Sequence, residues 1–330
     1  MLSTPSKAAV RALAGLEGPV AVLGAGGKMG LHMAAMLRSA LDEAGRMGEQ
    51  VYAVSRFGSP ESREPFDRLG VDTISADLTD EAALRALPDF RTIYFLAGIK
   101  FGTSGDPNAL RRFNEEMPAM VAARFPRARI AAFSTGCVYP FVTPSSGGSC
   151  EEDVPEPTGD YAVSCLQREA ALAAASKRHG TPVVLIRLNY AVEFRYGVLV
   201  DIAQRVMCGQ PVDVTMGWVN VIWQRDAVDH SLQAISLAES PATILNVAGM
   251  PIIRVRELAE RIAAKLGREA MITGVEEPTA WLNNAAKAHA LFGPPEIGID
   301  QAIEWTAEWV KNGGETLGKP TKFEKRDGKF

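Results

Sequence analysis

Hydrophobic and polar positions along the first two thirds of the chain alternate in blocks that predict strands followed by helices. Six short apolar runs have the length of buried strands, at 20–23, 51–54, 71–75, 92–96, 128–133 and 183–187. Segments with the spacing of helices lie between them, at 29–41, 61–69, 81–87 and 161–178. Thr79 is the predicted N-cap of the 81–87 helix. The order of the blocks therefore predicts repeated β-α units.

Repeated β-α units predict the α/β fold class with a doubly wound parallel sheet, the Rossmann fold, because right-handed crossovers place helices on both faces of the sheet. We expect this domain to occupy residues 1–188. The pattern is less regular from residue 189 onward. Residues 189–330 are predicted to form a smaller C-terminal lobe on the substrate side, with some segments returning to the Rossmann core.

The composition excludes several classes of partner. Of the 330 residues, 47% are hydrophobic and 22% are charged, which is enough for a large core. The net charge of −4 gives no overall positive field, so neither nucleic acid nor an anionic membrane is expected to bind. The four cysteines and four histidines lack the spacing of metal ligands, and no metal is expected. The N-terminus is too polar for a signal peptide, which predicts a soluble, cytoplasmic protein with reduced thiols.

A glycine-rich turn follows the first predicted strand and precedes the first long helix. Gly24, Gly27 and Gly30 stand where the chain turns sharply, where the backbone approaches a pyrophosphate and where the helix packs on the strand. With Lys28 and Met29, they present the N–H groups of the helix N-terminus to a diphosphate. The alternative is a purely structural turn. The position of the glycine-rich turn between a strand and a helix favours a dinucleotide site.

The spacing of the three glycines resembles that of the extended short-chain dehydrogenase/reductase family, in its NAD-dependent epimerase/dehydratase group. Further matches follow in the family's order and cover nearly the whole chain. The pair Asp77-Leu78 resembles the adenine-binding pair that follows the third strand. The turn Leu96-Ala97-Gly98 resembles the cofactor-contacting turn after the fourth strand. The same resemblance implies that Lys100 lies near the diphosphate and ribose of the cofactor.

Three more positions resemble the catalytic part of the family. Asn114 matches its structural and proton-relay asparagine, although it could equally bond across a helix interface. Thr135, in the run 134–139 at the end of the fifth strand, matches the catalytic hydroxyl, with a simple strand-end hydrogen bond as the alternative. Tyr161, followed eight residues later by Glu169, matches the catalytic tyrosine at the start of a long helix. The alternative for Tyr161 is an ordinary aromatic residue at a helix start.

Cys165 departs from the family pattern. The resemblance implies a lysine one helical turn after the tyrosine, where its ammonium binds the nicotinamide ribose and lowers the phenol pKa. This chain has Tyr161-Ala162-Val163-Ser164-Cys165, and a thiol cannot provide that charge. A phenol with a pKa near ~10 is a poor base at neutral pH without such help. Cys165 is therefore either part of an altered site or a small buried apolar residue.

The end of the second strand bears on the choice between NAD and NADP. NAD enzymes usually place an acidic residue there for the adenine ribose, whereas this chain has Ser55 and Arg56. A guanidinium suits a 2′-phosphate, so NADP is favoured over NAD, with Lys28 nearby in the turn. The alternative is that Arg56 is a solvated surface side chain.

The substrate side is predicted from the C-terminal lobe. In the family, enzymes for nucleotide sugars carry a diphosphate-binding arginine at the position that aligns with Val219, which argues against such a substrate here. Tyr190, Arg195, Asn220 and Trp223 are the candidate contacts for a small sugar, polyol or sugar acid. An arginine suits a carboxylate, although a surface salt bridge is an equal alternative for Arg195.

Two functions of different classes remain. The first is an NAD(P)-dependent oxidoreductase or epimerase acting at a hydroxyl or carbonyl carbon of a small carbohydrate-like molecule. The second is a non-catalytic dinucleotide-binding regulatory or scaffold protein of the same fold, which the missing lysine favours. The family resemblance also implies a homodimer, formed by the Ala-rich helices at 117–125 and 161–178. The alternative is that these helices pack within one subunit.

Overall fold

The computed structural model describes residues 2–99 and 106–328. Its strands in chain order are β1 (Val20–Leu23), β2 (Val51–Ser55), β3 (Asp72–Ser75), β4 (Thr92–Phe95), β5 (Arg129–Thr135), β6 (Val183–Leu188), β7 (Ala191–Val192), β8 (Val212–Asp213), β9 (Trp218–Val219), β10 (Ile222–Trp223), β11 (Thr243–Val247), β12 (Ile253–Arg254) and β13 (Ile272–Thr273). Its helices are α1 (Lys7–Ala14), α2 (Gly30–Glu43), α3 (Glu64–Asp67), α4 (Glu81–Arg85), α5 (Pro107–Arg111), α6 (Met117–Arg124), α7 (Asp160–His179), α8 (Val198–Met207), α9 (Gln224–Gln233), α10 (Val255–Leu266), α11 (Ala286–Phe292) and α12 (Ile299–Lys311). A π-helical turn, Arg112–Glu116, joins α5 to α6.

Each of the two compact units is assembled from several segments of the chain. The first unit contains Met1–Thr135, Val163–Arg187 and Val228–Leu245. The second contains Gly136–Ala162, Leu188–Ala227 and Asn246–Phe330. The single boundary that the sequence predicts at residue 188 is simpler than this division. It differs because the loop after β5 belongs to the second unit, and most of α9 and β11 returns to the first.

A seven-stranded sheet forms the centre of the fold, in the order β11-β6-β5-β4-β1-β2-β3. Neighbouring strands from β5 to β3 along this order run parallel. Parallel strands require crossover connections, and the intervening helices provide them. The doubly wound α/β fold that the sequence predicts is confirmed. All six predicted strands are present, with ends within two residues of the expected positions.

The strand register aligns the carboxyl ends of four strands at one edge of the sheet. Leu23 in β1 lies level with Val54 in β2 and with Phe95 in β4. Ser55 in β2 lies level with Ser75 in β3. The residues that follow these strands therefore meet at a common edge, where ligands of open α/β sheets bind.

The glycine turn after β1 is possible only because two of its residues, Gly24 and Gly30, have no side chain where they closely approach other backbone atoms. Gly24 has φ +87°, and a Cβ atom placed on it would lie 2.5 Å from the backbone nitrogen of Ala97. A Cβ atom on Gly30, the first residue of α2, would lie 2.1 Å from the carbonyl oxygen of Ala25. Both contacts are with backbone atoms that have little freedom to move, so β1, β4 and α2 pack at distances that other residues exclude.

The second unit contains two-stranded pairings and a core of its own. β7 pairs with β10, β9 with β12 and β8 with β13. One apolar cluster is formed by Cys137, Ala162, Met216, Ala280, Trp281 and Leu282, with Tyr161 packed against it. A second, aromatic group has Phe194 in contact with Trp223, Trp305 and Trp309.

Two local predictions are wrong. The expected helix over 61–69 is reduced to a 3₁₀ turn, Pro60–Ser62, and the four-residue α3. Pro60 and Pro65 fall in the first turns of these two pieces, because proline is tolerated only where its missing N–H has no helical partner. Asp80 replaces Thr79 as the N-cap of α4, since its carboxylate accepts hydrogen bonds from the backbone N–H groups of Ala82 and Ala83. No helix in the described residues is long and apolar enough to cross a membrane.

We predict that Gly30→Ala destabilises the protein by about 3 kcal/mol, because the added methyl group meets a fixed carbonyl oxygen. Urea-induced unfolding measures the change. Gly48→Ala is the matched control, since a Cβ atom there has no neighbour within 4 Å, and its effect should stay within about 0.5 kcal/mol. Equal stability of the two variants would contradict the packing described for the turn.

Candidate functional site

A pocket of about 250 Å³ opens along the aligned edge of the sheet, within the first unit. The turn after β1 contributes Gly24, Gly26 and Gly27 to its lining, and the ends of the neighbouring strands contribute Ser55, Arg56, Ala76, Asp77, Leu78, Leu96, Ala97 and Gly98. Phe113 and Met117 complete it from the helical segment that contains the π turn. Nine of the predicted cofactor residues are therefore brought together. Gly26, Ala76, Phe113 and Met117 were not predicted from the sequence.

The shape of the pocket fits a dinucleotide phosphate group. Gly26 and Gly27 are exposed at its surface, and a Cβ atom on Gly26 would lie 2.6 Å from Ser55 Oγ. The bare backbone leaves room for a phosphate to approach the N–H groups at the start of α2. Met29 precedes α2 directly and Gly30 begins it. These two residues and Lys28 do not line the pocket, and Lys100 lies outside the described residues.

Arg56 and Asp77 give one end of the pocket its charge. Partial burial alone would raise the pKa of the Asp77 carboxyl, but hydrogen bonds from Thr79 and the charges of Arg56 and Arg112 outweigh it and lower the pKa. Both the backbone N–H and the hydroxyl of Thr79 donate to Asp77 Oδ1, at 2.9 and 2.7 Å. The guanidinium of Arg56 lies 5.7 Å from the centroid of the Phe113 ring. This end therefore presents one carboxylate and one exposed cation.

Asn114, which is fully buried in the π turn, connects the end of β4 to α7. Its Oδ1 accepts from Ile99 N at 3.1 Å and from Arg168 Nη2 at 2.5 Å. Its Nδ2 donates to Ile99 O at 3.0 Å and to Ser164 Oγ at 2.9 Å. All four hydrogen-bonding positions of the amide are used. Asn114 thus holds the backbone beyond Gly98 against the helix that carries Cys165, and it does not line the pocket itself.

A buried ion pair lies between α7 and β6. Arg187 binds the Glu169 carboxylate in a bidentate manner, with Nη2 2.7 Å from Oε2 and Nε 3.0 Å from Oε1. Their side chains are only 3% and 5% exposed. Ser134 Oγ, in β5, also donates to Glu169 Oε1 at 2.5 Å. The carboxylate therefore fixes the end of β5, one residue before Thr135, relative to α7.

Thr135, Tyr161 and Cys165 occupy the predicted elements. Thr135 is the last residue of β5 and 9% exposed. Tyr161 lies in the first turn of α7 and is partly buried. Cys165 lies one turn further along α7 with no exposed surface. The catalytic roles of all three stay predictions.

The predicted substrate contacts belong to the second unit and differ in how fully they are bonded. Asn220 accepts from Asn189 Nδ2 and donates to Gly249 O and Asn283 O, at 3.0, 3.0 and 2.8 Å. Arg195 Nε lies 3.1 Å from Glu193 Oε1. Neighbouring protein groups already occupy the side-chain amide of Asn220, and a carboxylate occupies Nε of Arg195. Their substrate roles stay predictions.

Several buried polar atoms of the second unit have no hydrogen-bond partner among the described residues. They include Tyr190 Oη, Trp223 Nε1 and both side-chain atoms of Asn283. Burial is the main reason that the pKa of Tyr190 is raised well above its usual value. Tyr190 also has φ 40°, a conformation unusual for a residue other than glycine. Asn283, which sequence reasoning missed, lies against Gly136, where a Cβ atom would be 2.4 Å from Asn283 Oδ1.

A doubly wound sheet with a glycine turn and a pocket across its carboxyl edge defines a dinucleotide-binding protein of the Rossmann class. A sequence model of the NAD dependent epimerase/dehydratase family matches residues 20–247. The chain belongs to this family. A search of curated protein sequences finds no significant match.

Solved structures with the same fold cover most of the chain. Pal from Bacillus thuringiensis is 19% identical with a TM-score of 0.73, over 89% of this chain and 99% of that one. UDP-glucuronic acid 4-epimerase from Bacillus cereus in complex with NAD is 18% identical with a TM-score of 0.72, over the same shares. UDP-glucose 4-epimerase from Thermus thermophilus, also with NAD, is 19% identical with a TM-score of 0.71, over 88% and 98%. At these identities the likeness establishes the fold.

We predict that Glu169→Gln destabilises the protein by about 3 kcal/mol or more, because it leaves the Arg187 guanidinium buried without its counter-charge. Chemical denaturation measures the loss. Glu81→Gln is the control: its pair with Arg85 is about two-thirds exposed at both side chains, so the change should stay below about 0.5 kcal/mol. A Glu169 variant as stable as the control would show that the buried pair does not hold β5, β6 and α7 together.

Proposed function

We propose that this protein is an NAD(P)-dependent oxidoreductase or epimerase that acts on a hydroxyl or carbonyl carbon of a sugar, polyol or sugar acid. The observation that carries the proposal is the pocket at the edge of the sheet, where the backbone of the glycine turn, Asp77 and Gly98 surround one space. Membership of an NAD-dependent family supports the cofactor. The nicotinamide ring, when bound, accepts and returns hydride.

The chain's own residues have distinct roles in this proposal. Tyr161 exchanges the proton of the substrate hydroxyl, and Thr135 donates a hydrogen bond that polarises the same oxygen. Thr135 suits this role because the Ser134–Glu169 contact fixes the strand end that carries it. Asn114 positions the backbone after Gly98 through its bonds to Ile99. Lys100 retains its proposed place near the diphosphate and ribose on family resemblance alone.

The unbonded polar atoms of the second unit support a substrate rich in hydroxyl groups. Buried polar groups in folded proteins are nearly always hydrogen-bonded, so Tyr190 Oη, Trp223 Nε1 and the Asn283 amide are candidates for contact with such a molecule. An amide both donates and accepts, which suits a pair of neighbouring sugar hydroxyls.

The substrate is either a nucleotide sugar or a smaller, free sugar, and different observations favour each class. Several structurally similar proteins are named for UDP-sugars, which favours a nucleotide carrier. Val219 favours a smaller substrate, because it is apolar and fully buried in β9, where the resemblance implies a diphosphate-binding arginine. A panel containing both classes separates the two.

Between the two cofactors, we propose that Arg56 favours NADP, because its exposed guanidinium lines the pocket at the end of β2.

The homodimer also stays a proposal, supported by alanines exposed on two helices, Ala119 and Ala123 on α6 and Ala170 and Ala174 on α7. The cytoplasmic location stays a prediction from the sequence.

The second candidate function is dinucleotide binding without turnover. The observation that favours it is Cys165, which occupies the family's lysine position with no exposed surface. Replacing Cys165 by lysine is a poor test of this candidate, because the larger side chain would overpack the core around it. Absence of turnover across the whole substrate panel, with dinucleotide bound, would favour this candidate.

We predict that Tyr161→Phe lowers kcat about 100-fold or more with the best substrate of the panel, because it removes the proton-exchanging hydroxyl and little volume. Cofactor affinity should change by less than about twofold. Product analysis by chromatography detects oxidation and epimerisation alike. Tyr52→Phe is the control, since Tyr52 packs on Phe90 in the core of the first unit. Full activity of the Tyr161 variant would remove Tyr161 from the mechanism.

We predict that the native protein binds NADPH about tenfold more tightly than NADH, and that Arg56→Ala removes most of this difference by deleting the partner of the 2′-phosphate. Calorimetric titration measures both affinities. Arg63→Ala is the control, because Arg63 lies over the Phe57 ring at 5.8 Å, much as Arg56 lies over Phe113, and does not line the pocket. Equal native affinities for the two cofactors would contradict the proposed preference for NADP.

A further inference from the structure

Arg168, on α7, places a buried cation directly behind the pocket. The residue is 6% exposed. Its Nη1 donates to Phe133 O at 2.9 Å and its Nη2 to Asn114 Oδ1 at 2.5 Å. A Cβ atom on Gly98, which lines the pocket, would lie 1.9 Å from Arg168 Nη2. The guanidinium therefore occupies the space that any side chain at position 98 would need.

Among the described residues, no carboxylate pairs with the guanidinium of Arg168. Both hydrogen-bond acceptors are neutral oxygens, and Arg168 Nε has no partner in the described part of the chain. Glu169, the next residue, is not available, because its carboxylate binds Arg187 and Ser134. A buried charge without a counter-charge is strongly unfavourable. Arg187 and Arg168 are both buried, yet only Arg187 is neutralised within the fold.

The position of Arg168 along the sheet indicates which half of a dinucleotide it faces. The pocket runs from the ends of β3 and β2, past β1, to the end of β4. A dinucleotide crosses such an edge with its adenine half on one side of the switch point and its other half beyond it. Arg56 and Asp77 lie on the side of β2 and β3, whereas Arg168 contacts Gly98 after β4 and Phe133 in β5. Arg168 is therefore on the side of the nicotinamide half.

We propose that Arg168 is a cofactor-positioning residue whose unmatched positive charge, held against Gly98 and Asn114, favours the reduced nicotinamide dinucleotide over the oxidised one. The inference rests on the proposed function, since it concerns the cofactor of that same site. The oxidised ring carries a positive charge and the reduced ring is neutral, so a fixed cation nearby disfavours only the oxidised form.

The test compares dissociation constants for NAD⁺ and NADH in the native protein and in Arg168→Gln, measured by calorimetry. The ratio of the NAD⁺ dissociation constant to the NADH dissociation constant should fall about tenfold in the variant, because the cation that disfavours the charged, oxidised ring is removed. Arg168→Lys keeps the charge and should keep most of the ratio. A purely structural role would change both constants together and leave the ratio unmoved.

Two further variants make the result specific. Arg56→Gln removes a cation from the adenine side of the same pocket and should leave the ratio within about twofold of the native value. Gly98→Ala displaces the guanidinium without changing its charge and should lower the ratio in the direction of Arg168→Gln, so it decides the matter if Arg168→Gln does not fold.

An unchanged ratio in Arg168→Gln, or in Gly98→Ala should the first variant fail to fold, overturns the role of Arg168 and leaves the proposed function intact. A ratio that falls equally in Arg56→Gln also overturns it, because the effect would then come from any nearby charge. Native protein that binds none of NAD⁺, NADH, NADP⁺ and NADPH overturns the proposed function, and the role of Arg168 with it.

Discussion

The site depends on how closely the backbone after β1 approaches the backbone after β4. Gly24 leaves a space beside Ala97 that no Cβ atom fits, and Gly30 does the same beside Ala25. These contacts bring the glycine turn, the start of α2 and the end of β4 to one edge of the sheet. Gly98, one residue beyond Ala97, must also lack a side chain, because the Arg168 guanidinium fills the space that a Cβ atom on Gly98 would need. The pocket therefore exists because three separate positions have no side chain.

Glu169 and Arg168, which are neighbours on α7, have charges that are bound in different ways. Glu169 is bound to Arg187 and Ser134, so its charge is used within the protein and holds three elements together. Within the described residues, Arg168 donates to two neutral oxygens and to no carboxylate. If Arg168 were paired with Glu169 instead, the two charges would neutralise each other. Commitment of the carboxylate to β5 and β6 leaves the arginine charge uncompensated near the pocket.

The sequence was sufficient wherever short-range chemistry decides the structure. The apolar runs predicted six strands, and the glycine turn, Asp77 and the 96–98 turn predicted most of the pocket. Parallel strands joined by helices follow from the alternation of elements, and a turn follows from its glycines. The predicted helix over 61–69 is divided because Pro65 has no N–H for a helix interior, so α3 begins at Glu64, separate from the 3₁₀ turn Pro60–Ser62. Arg168 and Phe113 were missed for a different reason. Arg168 is 54 residues from Asn114 in the chain, and no local pattern signals a contact that only tertiary packing creates. Asn283 lies 63 residues from Asn220 and was missed in the same way.

Titration with NADH tests most directly whether the pocket binds a nicotinamide dinucleotide. The reduced nicotinamide is fluorescent, and its emission on binding, read alongside calorimetric heat, gives both affinity and stoichiometry. We expect saturable binding of one NADH per chain, in competition with NAD⁺ and with the adenine half alone, because that half would lie at the end of the pocket lined by Arg56 and Asp77. No saturable binding up to about 1 mM NADH, a concentration corresponding to roughly 4 kcal/mol of binding free energy, would contradict it.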